Sequence, residues 1–290
     1  MALRDYVQLM KLRIAALLLL VAAAGYVTTS GLRIDPVSFG LLMVTGLLAC
    51  GGASAINHYI DRDLDATMRR TQHRPLPEHR IDPPARALGF GVVVSLVALG
   101  VAYLWINPIT SAMIGLGILF YVGVYTLGLK RVHVSNIVIG GFAGSCPALA
   151  GSAAATGAIS IPAALVALLV FLWTPGHFWA LAFRSREDYR RAGIPMLPAV
   201  RAERTAARAI AVSTALVPLS TFAFTFVPPF RHILYLAVAV AAGTVLLFLM
   251  AKFVRRPCVE TAWAGYKFSG TYLMLILVGM MGSAILLASR

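Results

Sequence analysis

The chain has 290 residues, of which 59% are hydrophobic and only 12% are charged, and its mean hydropathy is +0.82. This composition excludes an ordinary soluble domain, in which about a quarter of the residues are charged, and it indicates a protein embedded in a lipid bilayer. The formal net charge of +14 would suggest a nucleic-acid partner in a soluble protein. No basic stretch is interleaved with aromatic residues, so we expect no nucleic-acid partner.

Nine apolar stretches have about the 20 residues that cross a bilayer as a helix. The predicted spans cover residues 13–32, 37–56, 86–106, 108–128, 134–156, 160–183, 206–228, 231–252 and 267–288. The fifth is rich in Gly and Ala, which predicts close helix packing rather than lipid contact. We therefore predict an all-α, polytopic membrane protein. Because the connecting loops are short, residues 1–290 are expected to form a single integral-membrane domain.

The charges predict the orientation of the bundle. With a cytoplasmic N-terminus and alternating spans, all 25 Lys and Arg residues except Arg33, Arg231 and Arg290 lie on the cytoplasmic side. The positive-inside rule then favours a periplasmic C-terminus. The N-terminus lacks a cleavable-signal pattern, so the first span is expected to act as an uncleaved anchor in a bacterial inner (plasma) membrane.

All eleven Asp and Glu residues except Asp35 also lie on the predicted cytoplasmic side. Asp and Glu contribute little to membrane orientation, so topology does not account for them. Acids and bases concentrated at one membrane face predict a polar functional site there. The alternative is that these charges form salt bridges that only decorate the loops.

The most informative segment is residues 57–74, which directly follows the second span. Asn57, Asp61 and Asp65 are spaced four residues apart, so on a helix they lie along one face. Asp63 points to the opposite side. A row of hard oxygen ligands suits Mg²⁺, which takes one or two carboxylates and completes its shell with water and phosphate oxygens.

Two further cytoplasmic features stand out. The sixth span holds Pro175, Gly176 and His177 near its end, and Pro-Gly inside a membrane helix frees backbone groups, which is tolerated beside a cavity. Residues 125–131 end in Lys130 and Arg131. These two side chains either bind an anionic substrate or snorkel to the membrane surface as topology markers.

Four segments carry a family resemblance. They are N-H-Y-I-D-R-D-L-D-A-T-M-R-R-T-Q-H-R-P-L (57–76), Y-T-L-G-L-K-R-V-H-V-S-N-I-V-I-G-G (125–141), W-T-P-G-H-F-W-A-L (173–181) and D-Y-R-R-A-G-I-P-M-L-P (188–198). With its nine spans, the chain resembles the UbiA family of intramembrane aromatic prenyltransferases over nearly its whole length. The last two segments and the tail of the first resemble the haem-modifying branch of that family.

The resemblance implies a helical bundle around a central cavity open to the cytoplasmic side. It implies Mg²⁺ as cofactor, farnesyl diphosphate and haem B (protohaem IX) as substrates, and farnesyl transfer to a haem vinyl group with addition of water, giving haem O. A haem A synthase or a terminal oxidase is a further partner that this reaction allows.

Site residues follow from the chemistry and the resemblance together. Asp61 and Asp65, with Asn57 as a neutral ligand, are expected to act in catalysis by holding Mg²⁺ on the diphosphate. The remaining candidates are Arg70, Arg74, Lys130 and Arg131 for the diphosphate, His177, Arg184 and Arg186 for haem, Asp188 and Tyr189 in the second loop, and Tyr121, Tyr125, Phe171 and Phe178 to stabilise an allylic cation.

Some features depart from the family pattern or leave alternatives open. Other family members carry D-x-x-x-D in the second loop, whereas Arg184 stands four residues before Asp188, so a symmetric pair of Asp-rich metal clusters cannot be carried over to this chain. His177 alternatively hydrogen-bonds a backbone carbonyl freed by Pro175. Another acceptor, 4-hydroxybenzoate or a naphthoate, is the alternative reaction. A transporter would show charges near the bilayer midplane and inverted repeats, and neither is seen.

Overall fold

The computed structural model describes residues 3–289, and within them nine helices are long and apolar enough to cross a membrane. They are Leu12–Ser30, Pro36–Ile60, Ala85–Trp105, Pro108–Leu129, Asn136–Thr156, Ile161–Arg184, Glu203–Phe224, Ile233–Arg255 and Val259–Ala288. The chain is thus an all-α, multi-pass membrane protein, and the predicted fold class is confirmed. Arg290, which entered the orientation argument, lies outside the described residues.

Local breaks divide some of these spans into shorter elements. In chain order the α-helices are α1 (Leu3–Leu9), α2 (Leu12–Ser30), α3 (Pro36–Ile60), α4 (Arg62–Thr67), α5 (Ala85–Trp105), α6 (Pro108–Ile118), α7 (Asn136–Gly140), α8 (Cys146–Thr156), α9 (Ile161–Arg184), α10 (Arg186–Arg191), α11 (Leu197–Val200), α12 (Glu203–Phe224), α13 (Ile233–Arg255) and α14 (Val259–Ala288). A π-helix over Leu119–Leu129 completes the fourth span, and a 3₁₀ turn over Gly141–Gly144 interrupts the fifth.

Helix starts on the predicted periplasmic side explain two polar residues of the sequence. Asp35 precedes α3, and its carboxylate accepts hydrogen bonds from the backbone N–H groups of Val37 and Ser38 at 3.1 and 3.2 Å. Asn107 caps α6 in the same way, accepting from Thr110 N–H at 2.8 Å. Such caps satisfy donors that a helix leaves free at its start. Asp35 therefore has a structural role away from the acid-rich face.

Close packing of the fifth span is confirmed at its contact with the first. A Cβ atom built on Gly25 of α2 would lie 2.1 Å from the carbonyl oxygen of Ala148. One on Gly151 of α8 would lie 2.1 Å from the carbonyl oxygen of Ala22. Only glycine permits two backbones to approach so closely. The α2–α8 pair forms one wall of the interior.

The last span begins at Val259, earlier than the predicted residue 267. Its first two turns contribute the buried residue Ala262 and the half-buried Tyr266 to a cluster that also contains Met250 and Phe253 of α13. The polar residues Glu260, Thr261 and Lys267 lower the hydropathy of this stretch, so the hydropathy pattern placed the start of the span too late. The extension matters because Tyr266 belongs to the site described next.

Candidate active site

A cavity of about 1130 Å³ runs through the interior of the bundle. Its lining comes from six spans and from the loop after α3. The main contributors are α2, α3, α6 with the π-helix, the fifth span (α7 and α8) and α9, and α14 adds Tyr266 and Leu273. Pockets for one small ligand usually hold roughly 300–1,000 Å³, so this cavity has room for more than one. Exposed residues of the loop after α3, such as Arg70 and His73, line its mouth.

The predicted row of oxygen ligands lines this cavity, although the helix breaks in its middle. Asp61 ends α3 with φ −90° and ψ 2°, and α4 starts at the next residue. The backbone bonds Asp61 N–H to Asn57 O (2.9 Å) and Asp65 N–H to Asp61 O (2.7 Å) carry the four-residue spacing through the break. Asp61 and Asp65 are 1% and 3% exposed. The sequence spacing thus predicted their shared face correctly.

Buried charges at this end of the cavity are paired. The Asn57 amide donates to Asp61 Oδ2 at 2.6 Å, and the Lys130 ammonium donates to the same oxygen. Arg74 Nη1 donates to Asp65 Oδ2 at 2.7 Å. Burial of a charge is costly unless it is paired. Two carboxylates and two cations therefore form a nearly neutral polar cluster in an otherwise apolar interior.

The carboxylates retain capacity for a cation. Asp61 Oδ1 is buried and accepts no hydrogen bond from any described residue, since Arg131 Nη2 is 4.0 Å away. Within residues 3–289, no group of three or more His, Cys, Asp and Glu side chains gathers as a metal site by itself. This arrangement fits a metal such as Mg²⁺, which binds through one or two carboxylates and takes its other ligands from phosphate and water.

Lys11 joins this cluster, and sequence reasoning missed it. It stands between α1 and α2 with φ 50°, in the left-handed region that non-glycine residues rarely adopt. Its ammonium donates to Asn57 Oδ1 at 3.0 Å and to the Tyr121 hydroxyl at 3.3 Å. Burial lowers the pKa of Lys11 to about 7, and Arg74 acts in the same direction. No sequence signal distinguished this lysine from a topology marker.

The π-helix shapes the opposite side of the cluster. Its wider turn lets Thr126 Oγ1 donate to Tyr121 O at 2.8 Å, while that hydroxyl accepts from the Asn57 amide at 3.0 Å. Tyr121 and Tyr125 stack with ring centroids 6.2 Å apart, and both line the cavity. π-Helical turns often mark functional sites. Here the turn presents two aromatic rings directly beside the polar cluster.

His177 lies in another part of the cavity wall, within a stack of aromatic rings. Its imidazole is sandwiched between Trp173 (centroids 4.0 Å apart) and Tyr266 (4.5 Å). Its Nδ1 is 2.6 Å from the Ser269 hydroxyl oxygen. The structure does not show a hydrogen bond from His177 to a freed backbone carbonyl, because the hydrogen-bond partner of the ring is the Ser269 side chain of α14. His177 also lines the cavity.

Some of the other predicted site residues line the cavity, and others lie outside it. Arg70, Phe178 and Tyr189 line the cavity, and Arg70 Nη2 donates to the Tyr189 hydroxyl at 3.2 Å. Burial raises the pKa of Tyr189. Phe171 instead lines a small apolar pocket elsewhere, so it is not placed to contact a cation in the main cavity.

Arg131, Arg184, Arg186 and Asp188 are not among the residues that line the cavity. Arg131 forms two hydrogen bonds to the exposed Asp63, which lowers the pKa of that carboxyl. Arg184 packs over the Trp263 ring, with its guanidinium carbon 4.1 Å from the centroid. The structure thus gives these basic side chains partners outside the cavity.

Arg186 pairs with Glu203, and Asp188 lies 3.8 Å from Arg191. The predicted pairing of Arg184 and Arg186 with haem propionates therefore has no geometric support here. The reason is local: Arg184 ends α9 and packs over Trp263, and Arg186 begins the short helix α10 and pairs with Glu203 at the start of α12. Sequence proximity to His177 did not bring them into the cavity.

His58, like Lys11, lines the site but was not predicted, although it belongs to the motif at residues 57–74. It is 2% exposed and lines the cavity beside Asn57. Neither ring nitrogen has a hydrogen-bond partner among the described residues. A buried, unpartnered polar group in a native structure is uncommon, so His58 keeps unused hydrogen-bonding capacity at the cavity wall. Its position next to Asn57 was the available signal.

Comparison with known proteins decides the family. Residues 18–283 match the profile of the UbiA prenyltransferase family. The chain belongs to the UbiA prenyltransferase family. One similar relative is the protoheme IX farnesyltransferase of Symbiobacterium thermophilum, which is 44% identical over 96% of this chain and 93% of that protein.

Two further relatives of this UbiA family member carry similar names. Protoheme IX farnesyltransferase of Synechococcus sp. (strain JA-3-3Ab) is 44% identical over 97% of this chain and 84% of that protein. Protoheme IX farnesyltransferase 1 of Cenarchaeum symbiosum is 40% identical over 95% of this chain and 94% of that protein. The similarity extends over nearly the full length in each case, so this chain is a prenyltransferase.

Solved structures share the fold at lower identity. A digeranylgeranylglyceryl phosphate synthase superposes with a TM-score of 0.80 at 20% identity, covering 98% of both chains. A UbiA homologue from Archaeoglobus fulgidus bound to DMAPP and Mg²⁺ gives 0.73 at 14% identity, covering 94% of this chain and 99% of that one. These likenesses establish the UbiA fold of the bundle.

Proposed function

We propose that this chain is a haem O synthase of the inner membrane. It transfers the farnesyl group of farnesyl diphosphate to a vinyl group of haem B, adds water and releases diphosphate. The observation that carries the proposal is a single cavity that joins two chemically different surfaces: a cluster of paired carboxylates and cations, and the edge of a histidine held among aromatic rings. The names of the full-length relatives support the same reaction.

Mg²⁺ is the metal we propose for the carboxylates. Asp61 and Asp65 would hold it together with the diphosphate, and Asn57 would add a neutral ligand. The unpartnered Asp61 Oδ1 supports this assignment, as does the Mg²⁺ bound to the Archaeoglobus homologue. The metal supplies a Lewis acid that stabilises negative charge on the leaving diphosphate.

Diphosphate binding exchanges the partners of the paired charges. Without substrate, Lys130 and Arg74 neutralise Asp61 and Asp65. With a metal held by the carboxylates, Lys130 and Arg74 would be free to donate to phosphate oxygens, and Lys11 and Arg70 lie in the same cavity wall. Arginine binds phosphate with two parallel hydrogen bonds, whereas lysine acts as a point charge. The site thus has cationic donors for a polyanion, and in the absence of substrate the Lys130 and Arg74 charges are paired with Asp61 and Asp65.

Bond breaking produces a cation that the site must protect. The allylic C–O bond breaks with its electron pair leaving on the diphosphate, and the farnesyl carbon becomes electron-poor. The stacked Tyr121 and Tyr125 rings stand beside the cluster, where aromatic faces stabilise positive charge without capturing it. The vinyl π electrons then form the new C–C bond. Water adds to the resulting cation on the haem side and loses one proton.

The acceptor end of the cavity suits a flat metalloporphyrin. Imidazole is a common protein ligand of haem iron, and His177 lies between Trp173 and Tyr266 with only its ring edge uncovered. We propose that this edge binds the haem iron and positions the vinyl group. The product is then available to a haem A synthase or a terminal oxidase in the same membrane.

The orientation belongs to the same proposal. We infer that the cavity mouth faces the cytoplasm, because the loops near it hold most of the Lys and Arg residues. Residues 1–290 act as one integral-membrane domain. Farnesyl diphosphate, a soluble anion with an apolar tail, then reaches the basic mouth from the cytoplasm, and its tail enters the apolar interior.

The test is direct. The full chain is purified into lipid nanodiscs and supplied with haem B, farnesyl diphosphate and Mg²⁺, and the haems are extracted and identified by mass spectrometry. We expect a product heavier than haem B by one farnesyl group and one hydroxyl group, because the added water loses one proton. Prenylation of 4-hydroxybenzoate or a naphthoate in parallel reactions, with haem B unchanged, would contradict the proposal.

A further inference from the structure

We propose that Ser269 sets the tautomer of His177, so that the Nε2 lone pair faces the cavity and can bind the iron of a metalloporphyrin. This inference rests on the proposed function, since it concerns how the same site takes its haem substrate. Ser269 lies on α14, the ninth span, seven spans after the motif at residues 57–74, and no sequence pattern pointed to it.

The contacts of the Ser269 hydroxyl decide where its hydrogen lies. Its oxygen donates to the carbonyl oxygen of Tyr266 at 2.9 Å and is 2.6 Å from His177 Nδ1. A hydroxyl has one hydrogen, and a carbonyl only accepts. Both contacts are therefore satisfied when Ser269 donates to Tyr266 O and accepts from Nδ1–H of His177.

The proton on Nδ1 leaves Nε2 unprotonated in the neutral ring. The hydrogen bond at one imidazole nitrogen determines which nitrogen is free to bind a metal. Nε2 forms no hydrogen bond with any described residue and is not fully buried. Since His177 lines the cavity, its lone pair is accessible from there.

Surrounding contacts prevent the ring from turning. Trp173 and Tyr266 cover its two faces, with interplanar angles of 24° and 28°. Trp173 is itself fixed, because its indole N–H donates to Ser269 O at 2.8 Å. Ser269 thus anchors the imidazole through its side chain and the neighbouring indole through its backbone. Only the hydroxyl contact is removed by substitution of the serine side chain.

The test compares two porphyrins. Haem and metal-free protoporphyrin IX are titrated into the full chain in nanodiscs, and their dissociation constants and Soret bands are measured. For Ser269→Ala we expect about tenfold weaker haem binding, the usual size of a loss of a partner behind a metal ligand, with an altered Soret band. The affinity for the metal-free porphyrin should stay within about twofold, because it has no iron to bind.

Two more variants keep the inference falsifiable. Ser269→Thr retains the hydroxyl and should restore the haem affinity and the Soret band, whereas Ser269→Cys fills the site with a weaker acceptor and should give an intermediate loss. If Ser269→Ala does not fold, the Cys and Thr variants still give the comparison. Equal losses for both porphyrins, or no difference between the Cys and Thr variants, would overturn the proposed role of Ser269.

His177→Ala separates this inference from the proposed function. If His177→Ala abolishes the preference for haem over the metal-free porphyrin while the Ser269 variants leave it intact, the inference about Ser269 fails and the haem site stands. If the wild-type chain shows no preference for haem and His177→Ala changes nothing, His177 is not an iron ligand. In that case the haem part of the proposed function fails first.

Discussion

Replacing Asp61 with Asn tests the metal site most sharply, and Asp63 provides its matched control. Both are aspartates at the junction of α3 and α4, two residues apart. Asp61 is 1% exposed and lines the cavity, whereas the Asp63 side chain is 62% exposed and bound to Arg131 on the outside. The same substitution at the two positions therefore separates the cavity face from the outer face.

The structure sets the size of the effect. Asparagine keeps the shape of Asp61 and an oxygen for the Lys130 ammonium, but it removes the negative charge and weakens the metal site. A metal acting on a leaving phosphate contributes several kcal/mol, and each 1.36 kcal/mol changes the rate tenfold. Taking about 4 kcal/mol, we expect kcat/KM to fall about 10³-fold. Asp63→Asn removes one exposed ion pair of about 0–1 kcal/mol, so its activity should stay within about threefold.

Stability must be measured in parallel, because Asp61 also neutralises Lys130. The Lys130 side chain is 13% exposed, and losing a charged hydrogen-bond partner costs about 1.5–3 kcal/mol. Thermal unfolding in detergent should show a lower melting temperature for Asp61→Asn but a folded protein at the assay temperature. Only a folded variant without turnover supports a metal role.

The assay measures the rate of haem O formation in nanodiscs at a series of Mg²⁺ concentrations. Asp61→Asn should require much more Mg²⁺ or show no dependence on it. Near-normal activity of Asp61→Asn with an unchanged Mg²⁺ requirement would refute the metal assignment. An equal loss in Asp63→Asn would refute the division of the motif into two faces.

Three further predictions address other parts of the molecule. Lys11→Met should raise the KM for farnesyl diphosphate by about 10- to 100-fold, since it removes one charged donor from the cluster (about 1.5–3 kcal/mol, at a factor of ten for each 1.36 kcal/mol), while metal-free porphyrin binding is unchanged; an unchanged KM would exclude phosphate contact. Gly151→Ala places a Cβ atom 2.1 Å from Ala22 O and should lower the free energy of unfolding by about 1–3 kcal/mol, measured by thermal unfolding. The control is Gly89→Ala, whose added Cβ meets no atom within 4 Å and should not lower the free energy of unfolding. A reporter fused after the last residue should be periplasmic, because an odd number of spans inverts the N-terminal orientation; cytoplasmic activity of that fusion would contradict the predicted topology.

Much of the architecture was accessible from local sequence. Hydropathy over about 20 residues identified each span, because a lipid environment requires long apolar helices whose backbone groups are satisfied internally. The four-residue spacing of Asn57, Asp61 and Asp65 placed them on one face correctly, and the structure keeps that face through the break at Asp61. The glycines of the fifth span predicted close helix packing, and the structure shows that its partner is the first span.

Contacts between distant segments could not be obtained in this way. Lys11 enters the polar cluster around Asn57 and Asp61 because the chain turns sharply between α1 and α2, and a single left-handed residue leaves no periodic signal. Ser269 meets His177 only because α14 packs against α9. Arg184 and Arg186 stay outside although they are close to His177 in sequence. Helical periodicity assigns a residue to a face of its own helix, but the direction in which that face points depends on how the helices pack against one another.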